Sequence, residues 1–270
     1  MKRVSGQSLR EFADARIFRP LGMNATHFHS DHTEIVRGRT SAYKPRAGGG
    51  YEISIPVFDP YGATSLFTTV GDLLKWEQNF IEPRVGGRAF VEAMLASGKL
   101  NRGAATGYGL GLISGRPRGV LDVGHAGSDA GYRTDVVQFP EHGLAIAVFC
   151  NLSSMRPALL SRKVAEIILG DAFTPLPSAV ALPEAELQRL AGSYYNERID
   201  DVRRLSVLDG KLTQTGSVDL WVPIGGGRFR SGETSNQIAF PRLSPVTPAR
   251  QRPPRSRDLP TPRAARSLTR

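Results

Sequence analysis

Cysteine is almost missing from this 270-residue chain, which contains a single residue of that type, Cys150. One cysteine forms no internal disulfide, so the sequence gives no sign of a fold built for an oxidising compartment. Long hydrophobic runs are also missing, and no stretch reaches the roughly 20 apolar residues that cross a bilayer. The residues after Met1, KRVSGQSLREF, lack the apolar core of a secretory signal. We expect no membrane segment, and the compartment stays open.

Lysine is absent from the last thirty residues, 241–270, where eight Arg and one Asp supply +7 of the formal net charge of +10. The other residues therefore carry only +3, and the body of the chain is not notably basic. No aromatic side chain lies between these arginines, although aromatic stacking is what holds bases in single-stranded nucleic-acid sites. We expect no nucleic-acid partner and interpret residues 241–270 as a disordered tail. Two alternatives are a phosphate-binding arm and a translation artefact that replaces closing strands after Phe240.

Two capping patterns mark the starts of helices. Ser8 and Glu11 form a capping box in front of an apolar helical face, and Thr69 is placed to cap a second amphipathic helix. Two more helices are predicted over residues 88–96 and 157–169.

Between these helices the apolar pattern becomes typical of β-strands, which are predicted over residues 108–114, 120–127, 133–140 and 143–151. A Pro/Ala-rich linker follows at 171–183, between a first domain at 1–170 and a second at 184–240. Short strands with glycine turns, including one in LQRLAGSYYNE, predict that the second domain is small, β-rich and barrel-like. We expect this domain to be truncated.

Several motifs in the first domain resemble the serine β-lactamase-related hydrolases, which include class C β-lactamases, penicillin-binding peptidases and related esterases. These motifs are IFRPLGMNAT, YGATSLFTTVGDLLKWEQNF, GYGLGL and VGHAGSDAGYRTDVVQFPEHGLAIAVFCN, and they extend in order from Lys2 to Gly170. The resemblance implies an α+β fold, in which helices flank an antiparallel β-lactamase/transpeptidase-like sheet. It also implies hydrolysis of an ester, amide or β-lactam through an acyl-serine, with a small-molecule or peptide-like substrate and no cofactor.

The same resemblance assigns three residues to the site. His125-Ala126-Gly127 matches the family's Lys/His-x-Gly strand motif, which places His125 at the rim of the pocket as a catalytic residue. Ser128 would offer a backbone N–H to the oxyanion, and Gly127 would let substrate approach the backbone closely.

The chain has no Ser-x-x-Lys motif at the position along the sequence where the family carries its nucleophile. The family uses a Ser and a Lys one helical turn apart, because that spacing puts both on one helix face. Ser41–Lys44 has this spacing, but it lies in a loop-like segment, and Pro45 disfavours helical dihedrals at Lys44.

The family's Tyr-x-Asn element is also out of place. Tyr194-Tyr195-Asn196 follows His125 and is interpreted as part of a strand in the second domain. We therefore expect that the N-terminal part of the catalytic domain is missing, that no nucleophile is present and that the polypeptide alone is inactive. A non-catalytic binding or interaction module is the alternative.

The string His27-x-His29-x-Asp31-His32 resembles a metal-ligand loop of the metallo-β-lactamases and raises a third, less favoured hypothesis, a metallo-hydrolase. Such a loop follows a buried strand, whereas the residues here are RPLGMNA, with Pro, Gly and Asn. We expect no metal site and interpret Thr26–His32 as a surface loop.

The implied sheet combines strands from both ends of the family's domain. The strands predicted between 108 and 151 would then lack neighbours, which predicts self-association through an exposed sheet edge.

Overall fold

The computed structural model describes residues 1–196, 201–215, 220–231 and 237–240. They form two compact units, with Met1–Ser178 making most of the first and Ala179–Arg230 most of the second. The predicted tail, 241–270, lies outside these residues, and the predicted domain borders stay predictions. Among the described helices, none combines the length and hydrophobicity that crossing a bilayer requires.

The helices of the first unit begin largely where the capping patterns predict. They are α1 (Lys2–Ser5), α2 (Leu9–Ala13), α3 (Arg19–Leu21), α4 (Val70–Ile81), α5 (Gly87–Leu95) and α6 (Pro157–Leu169), with a π-helical turn, Asp14–Phe18, joining α2 to α3. The capping box is confirmed: Ser8 Oγ accepts the Glu11 N–H at 3.2 Å, and Glu11 Oε2 accepts the Ser8 N–H at 2.8 Å. Thr69 caps α4 by accepting the Asp72 N–H at 3.2 Å.

The strands of the first unit form one main sheet and two short antiparallel pairs. They are β1 (His27–Phe28), β2 (Tyr43–Pro45), β3 (Tyr51–Ile53), β4 (Leu66–Phe67), β5 (Ile113–Gly115), β6 (Asp122–Asp129), β7 (Tyr132–Phe139) and β8 (Leu144–Cys150). The short pairs are β1 with β4 and β2 with β3. The main sheet has the order β5-β6-β7-β8 and is antiparallel throughout, as predicted.

The strand predicted at 108–114 is wrong in its first part. Gly107 and Gly111 adopt positive φ angles of 71° and 79°, and the Gly109 N–H donates to the Leu112 carbonyl at 2.8 Å. This stretch is therefore a tight turn, because glycine enters the left-handed region without steric cost. The strand begins only at Ile113.

Both faces of the main sheet are covered by helices. Val137 and Phe139 point to one face, where they pack in a buried cluster with Ala165 of α6. Gln138 points to the other face, where its Nε2 donates to the Glu77 carbonyl of α4 at 3.5 Å. This alternation follows from the two-residue period of a strand, and it gives the helix-flanked α+β architecture expected.

A second cluster lies where α2, the π-helical turn and α3 meet β1 and α4. Its buried members are Ala13, Phe18 and Met23, with Phe28, Leu73 and Trp76 packed against them. The cluster anchors β1, which carries His27, beside the N-terminal helices.

The second unit is β-rich, as predicted. It contains α7 (Glu184–Leu190), β9 (Gly192–Asn196), β10 (Asp201–Leu208), β11 (Lys211–Gln214), β12 (Leu220–Gly225), β13 (Arg228–Ser231) and β14 (Gln237–Ala239), and the strands lie in sequential order in one sheet. One expectation is wrong: the start of LQRLAGSYYNE is helical. Leu187 and Leu190 lie one turn apart and are buried against the sheet, and Glu184 and Glu186 favour the helix N-terminus.

Candidate active site

The three residues that the sequence assigns to the site all lie on β6. This strand pairs with β7 along its length, from Val123 to Asp129, but with β5 only over Asp122–Gly124. From His125 onward, one edge of β6 has no strand partner among the described residues. His125, Gly127 and Ser128 are exposed there. Because strand side chains alternate, His125 and Gly127 share one face of the sheet and Ser128 points to the other.

His125 is held on both sides of its ring. Its Nε2 lies 3.1 Å from Oη of Tyr108, and its Nδ1 lies 2.6 Å from the Ala126 carbonyl oxygen. Because a carbonyl oxygen only accepts, the neutral tautomer that fits both contacts has its N–H at Nδ1 and accepts the Tyr108 O–H at Nε2. The Tyr108 ring meets the imidazole edge-on, with centroids 5.9 Å apart.

Tyr108 is the residue that sequence reasoning missed. It belongs to the GYGLGL motif, but no pattern in the sequence indicates a role for its side chain. The tight turn at 107–112 brings Tyr108 back to β5 through an isolated bridge with Ile113. Because Ile113 pairs with Gly124, this turn delivers the phenol next to His125.

The packing of β6 against β7 gives Gly127 a structural role in addition to the expected one. A Cβ atom at this position would lie 2.3 Å from Oγ1 of Thr134 on the neighbouring strand. Gly124 is tighter still, because its Cβ would lie 2.1 Å from the Val136 carbonyl oxygen. The glycines therefore let β6 and β7 approach each other, and close approach by a substrate stays a prediction.

Ser41 and Lys44 do not form a nucleophile–base pair on a helix. Ser41 precedes β2, and Lys44 lies within β2 with its Nζ 3.0 Å from Oε1 of Glu52. Tyr194 lies in β9 of the second unit and donates its hydroxyl to the Leu190 carbonyl at 2.9 Å. Burial raises the pKa of Tyr194, which favours its protonated form.

The histidine-rich string is not the simple surface loop that was expected. His27 and Phe28 form β1, which pairs with β4, and His29 is only 5% exposed. The aromatic ring of Phe67 stacks on the His29 imidazole at a centroid distance of 4.2 Å, which explains the burial.

The structure divides the string between two groups of side chains. His27 and His29 converge with Glu34, whereas Asp31 and His32 converge with Asp59 in an exposed group.

Comparison with known proteins places the first unit in a family. The family profile described as Beta-lactamase matches residues 1–168. An octameric penicillin-binding protein homologue from Pyrococcus abyssi superposes with a TM-score of 0.56 at 25% identity, covering 87% of this chain and 56% of its own. A penicillin-binding protein from Bacillus halodurans superposes with a TM-score of 0.53 at 17% identity. The match covers 62% of this chain and 51% of the Bacillus halodurans chain.

The chain thus spans about half the length of these two structures, at 56% and 51%. The second likeness concerns the fold alone, given its 17% identity. None of the curated proteins matches the sequence.

Proposed function

The chain belongs to the β-lactamase family, and we propose that it supplies the substrate-binding wall of an acyl-transfer site for an ester, amide or β-lactam bond. One observation carries the proposal: within the described part of the chain, residues 125–128 of β6 have no strand partner on one edge, and Tyr108 contacts His125 at the start of this stretch.

In this proposal each residue has a distinct role. The His125 imidazole lies at the rim, where it contacts the substrate next to the scissile bond, and Tyr108 is a positioning residue for it. The Ser128 backbone N–H stabilises negative charge on the carbonyl oxygen, because a fixed donor gains strength in a site that excludes water. Gly127 contributes no side chain to the strand between His125 and Ser128.

We further propose that this polypeptide by itself performs no acyl transfer. A serine becomes a nucleophile only when a base removes its proton, and the base must lie within hydrogen-bond reach. Ser41 and Lys44 do not share a helix face, and the amine of Lys44 is engaged by Glu52. A binding wall without a nucleophile catalyses little.

Two measurements on the full chain test this proposal. Benzylpenicillin should perturb the backbone amide resonances of residues 125–128, while the intact mass of the protein stays unchanged. His125→Ala should remove the perturbation, and His142→Ala, at the β7–β8 turn, should retain it. A covalent adduct with penicillin or with a fluorophosphonate probe would contradict the inactive state, and its loss in Ser41→Ala would identify Ser41 as the nucleophile.

A non-catalytic binding module is the second candidate. The edge of β6 that no described strand covers favours it, because an extended peptide can add to such an edge through main-chain hydrogen bonds. A short acylated peptide that binds at residues 125–129 with no preference for β-lactams would support this alternative.

A further inference from the structure

Outside the proposed acyl-transfer site, two imidazoles and a carboxylate converge near β1. Nε2 of His27 lies 3.3 Å from Nδ1 of His29, and Oε2 of Glu34 lies 3.8 Å from that same Nδ1. All three ligand atoms lie within 4.8 Å of one another. We propose that His27, His29 and Glu34 bind a divalent cation of borderline softness, with zinc the best match.

The nitrogen–nitrogen distance supports this ligand geometry. Ligands at 2.0–2.1 Å from a tetrahedral zinc ion lie roughly 3.3–3.4 Å from one another. The separation of 3.3 Å between His27 and His29 meets that value without movement. Oε2 of Glu34 must come about half an ångström closer to Nδ1 of His29 than its present 3.8 Å, which its exposed side chain allows. Three protein ligands leave the fourth position to water.

The two histidines are held in place before an ion arrives. They lie two residues apart, so they share one face of the extended chain. Phe67 lies against both rings, at centroid distances of 5.5 Å to His27 and 4.2 Å to His29. The His29 N–H donates to the Ser65 carbonyl at 2.8 Å. Binding therefore requires little further ordering of these side chains.

Arg10 would orient the carboxylate ligand. Its guanidinium donates to both oxygens of Glu34, at 2.7 Å and 3.0 Å. Each carboxylate oxygen accepts more than one bond, so Glu34 can keep Arg10 on Oε1 and turn Oε2 toward the ion. Hydrogen-bonded carboxylates of this kind are common around metal ligands. The positive charge of Arg10 opposes the cation and lowers its affinity.

The competing interpretation is that His27 and His29 share only a hydrogen bond against Phe67. Measuring the zinc content of the protein distinguishes a metal site from a simple hydrogen bond, and it requires no assay of hydrolysis. After saturation with zinc and dialysis, the full chain should retain one zinc ion per molecule. Cobalt(II) in place of zinc should give the visible absorption of a tetrahedral site.

Matched variants locate the ion. His27→Gln and Glu34→Gln change partly exposed side chains, and each should weaken zinc binding at least tenfold. His32→Asn alters the neighbouring exposed group with Asp31 and Asp59 and should leave binding unchanged. No retained zinc, equal retention in all variants, or loss only in His32→Asn would each overturn the proposal. Circular dichroism of each variant checks that it is folded.

Discussion

Nη2 of Arg162 lies 3.0 Å from Oδ2 of Asp122, which ties helix α6 to the first residue of the strand that carries His125. Nη1 of the same guanidinium lies 3.3 Å from Oδ2 of Asp135 on β7. Both carboxylates are buried, and the single positive charge of Arg162 is shared between these two acidic groups, which have little contact with water. The position of β6 therefore depends on a charge that comes from the helix behind the sheet.

Arg162→Ala should lower the free energy of unfolding by about 2–3 kcal/mol, because it leaves buried carboxylates without a counter-charge; the figure allows for the partial exposure of the guanidinium. Burial raises the pKa of Asp122 and Arg162 opposes this rise, so removing Arg162 favours the protonated acid. The penalty should therefore shrink as the pH falls toward 4. Urea unfolding at two pH values measures it. Lys163→Ala removes an exposed charge from the same helix and should have little effect.

Glu77 should make stability depend on pH. It is 5% exposed, and burial raises its pKa from 4.5 to about 7, although a hydrogen bond from Gln138 partly opposes the shift. The folded chain then holds a proton that the unfolded chain has released, so stability falls as the pH rises from about 4.5 to 7, by roughly 3 kcal/mol. Glu77→Gln should match the parent near pH 4.5 and exceed its stability above pH 7.

The exposed acid Glu92 supplies the control for this prediction. The free energy of unfolding, measured with urea, should differ between pH 5 and pH 8 by the same amount in Glu92→Gln as in the parent. If Glu77→Gln keeps the pH dependence of the parent, Glu77 does not cause it.

Substitutions at the two β6 glycines, Gly124 and Gly127, should lower the stability of the fold by different amounts. Gly127→Ala should cost about 1–2 kcal/mol, because Thr134 must leave its rotamer to accept the new methyl group. Thr134→Ala should restore that loss. Gly124→Ala should cost more, because its Cβ meets the backbone carbonyl of Val136, and Thr134→Ala should not rescue it. Thermal unfolding of the three single variants and of the two double mutants with Thr134→Ala tests this order.

Self-association is expected from the apolar surface near the end of the sheet. β8 is the last strand in the sheet order, and α6 exposes a row of apolar side chains: Leu160, Val164, Ile167 and Ile168. Ile167 is 84% exposed, so Ile167→Lys should shift the chain toward monomer in sedimentation velocity. Val4→Lys, at a residue 93% exposed on α1, is the matched control. A parent chain that stays monomeric at all concentrations would contradict the expectation.

The sequence alone determined the features that depend on neighbouring residues. The capping box at Ser8 and the cap at Thr69 each involve atoms three residues apart, and both form as predicted. Helix α6 begins and ends where periodicity placed it, at Pro157–Leu169, and strands β6 to β8 follow the apolar pattern. The order of motifs along the chain also indicated the family, which the family profile over residues 1–168 confirms.

Only the tertiary structure decided which distant side chains meet. Tyr108 reaches His125 across 17 residues because a glycine turn reverses the chain, and no periodic pattern encodes that contact. Glu34 lies close to His27 and His29, whereas Asp59 lies close to His32. The pairing of β1 with β4 and the local turns orient these side chains. Gly127 is required by Thr134, which the strand register places opposite it. Local propensity acts over a few residues, whereas each of these contacts depends on how separate segments pack.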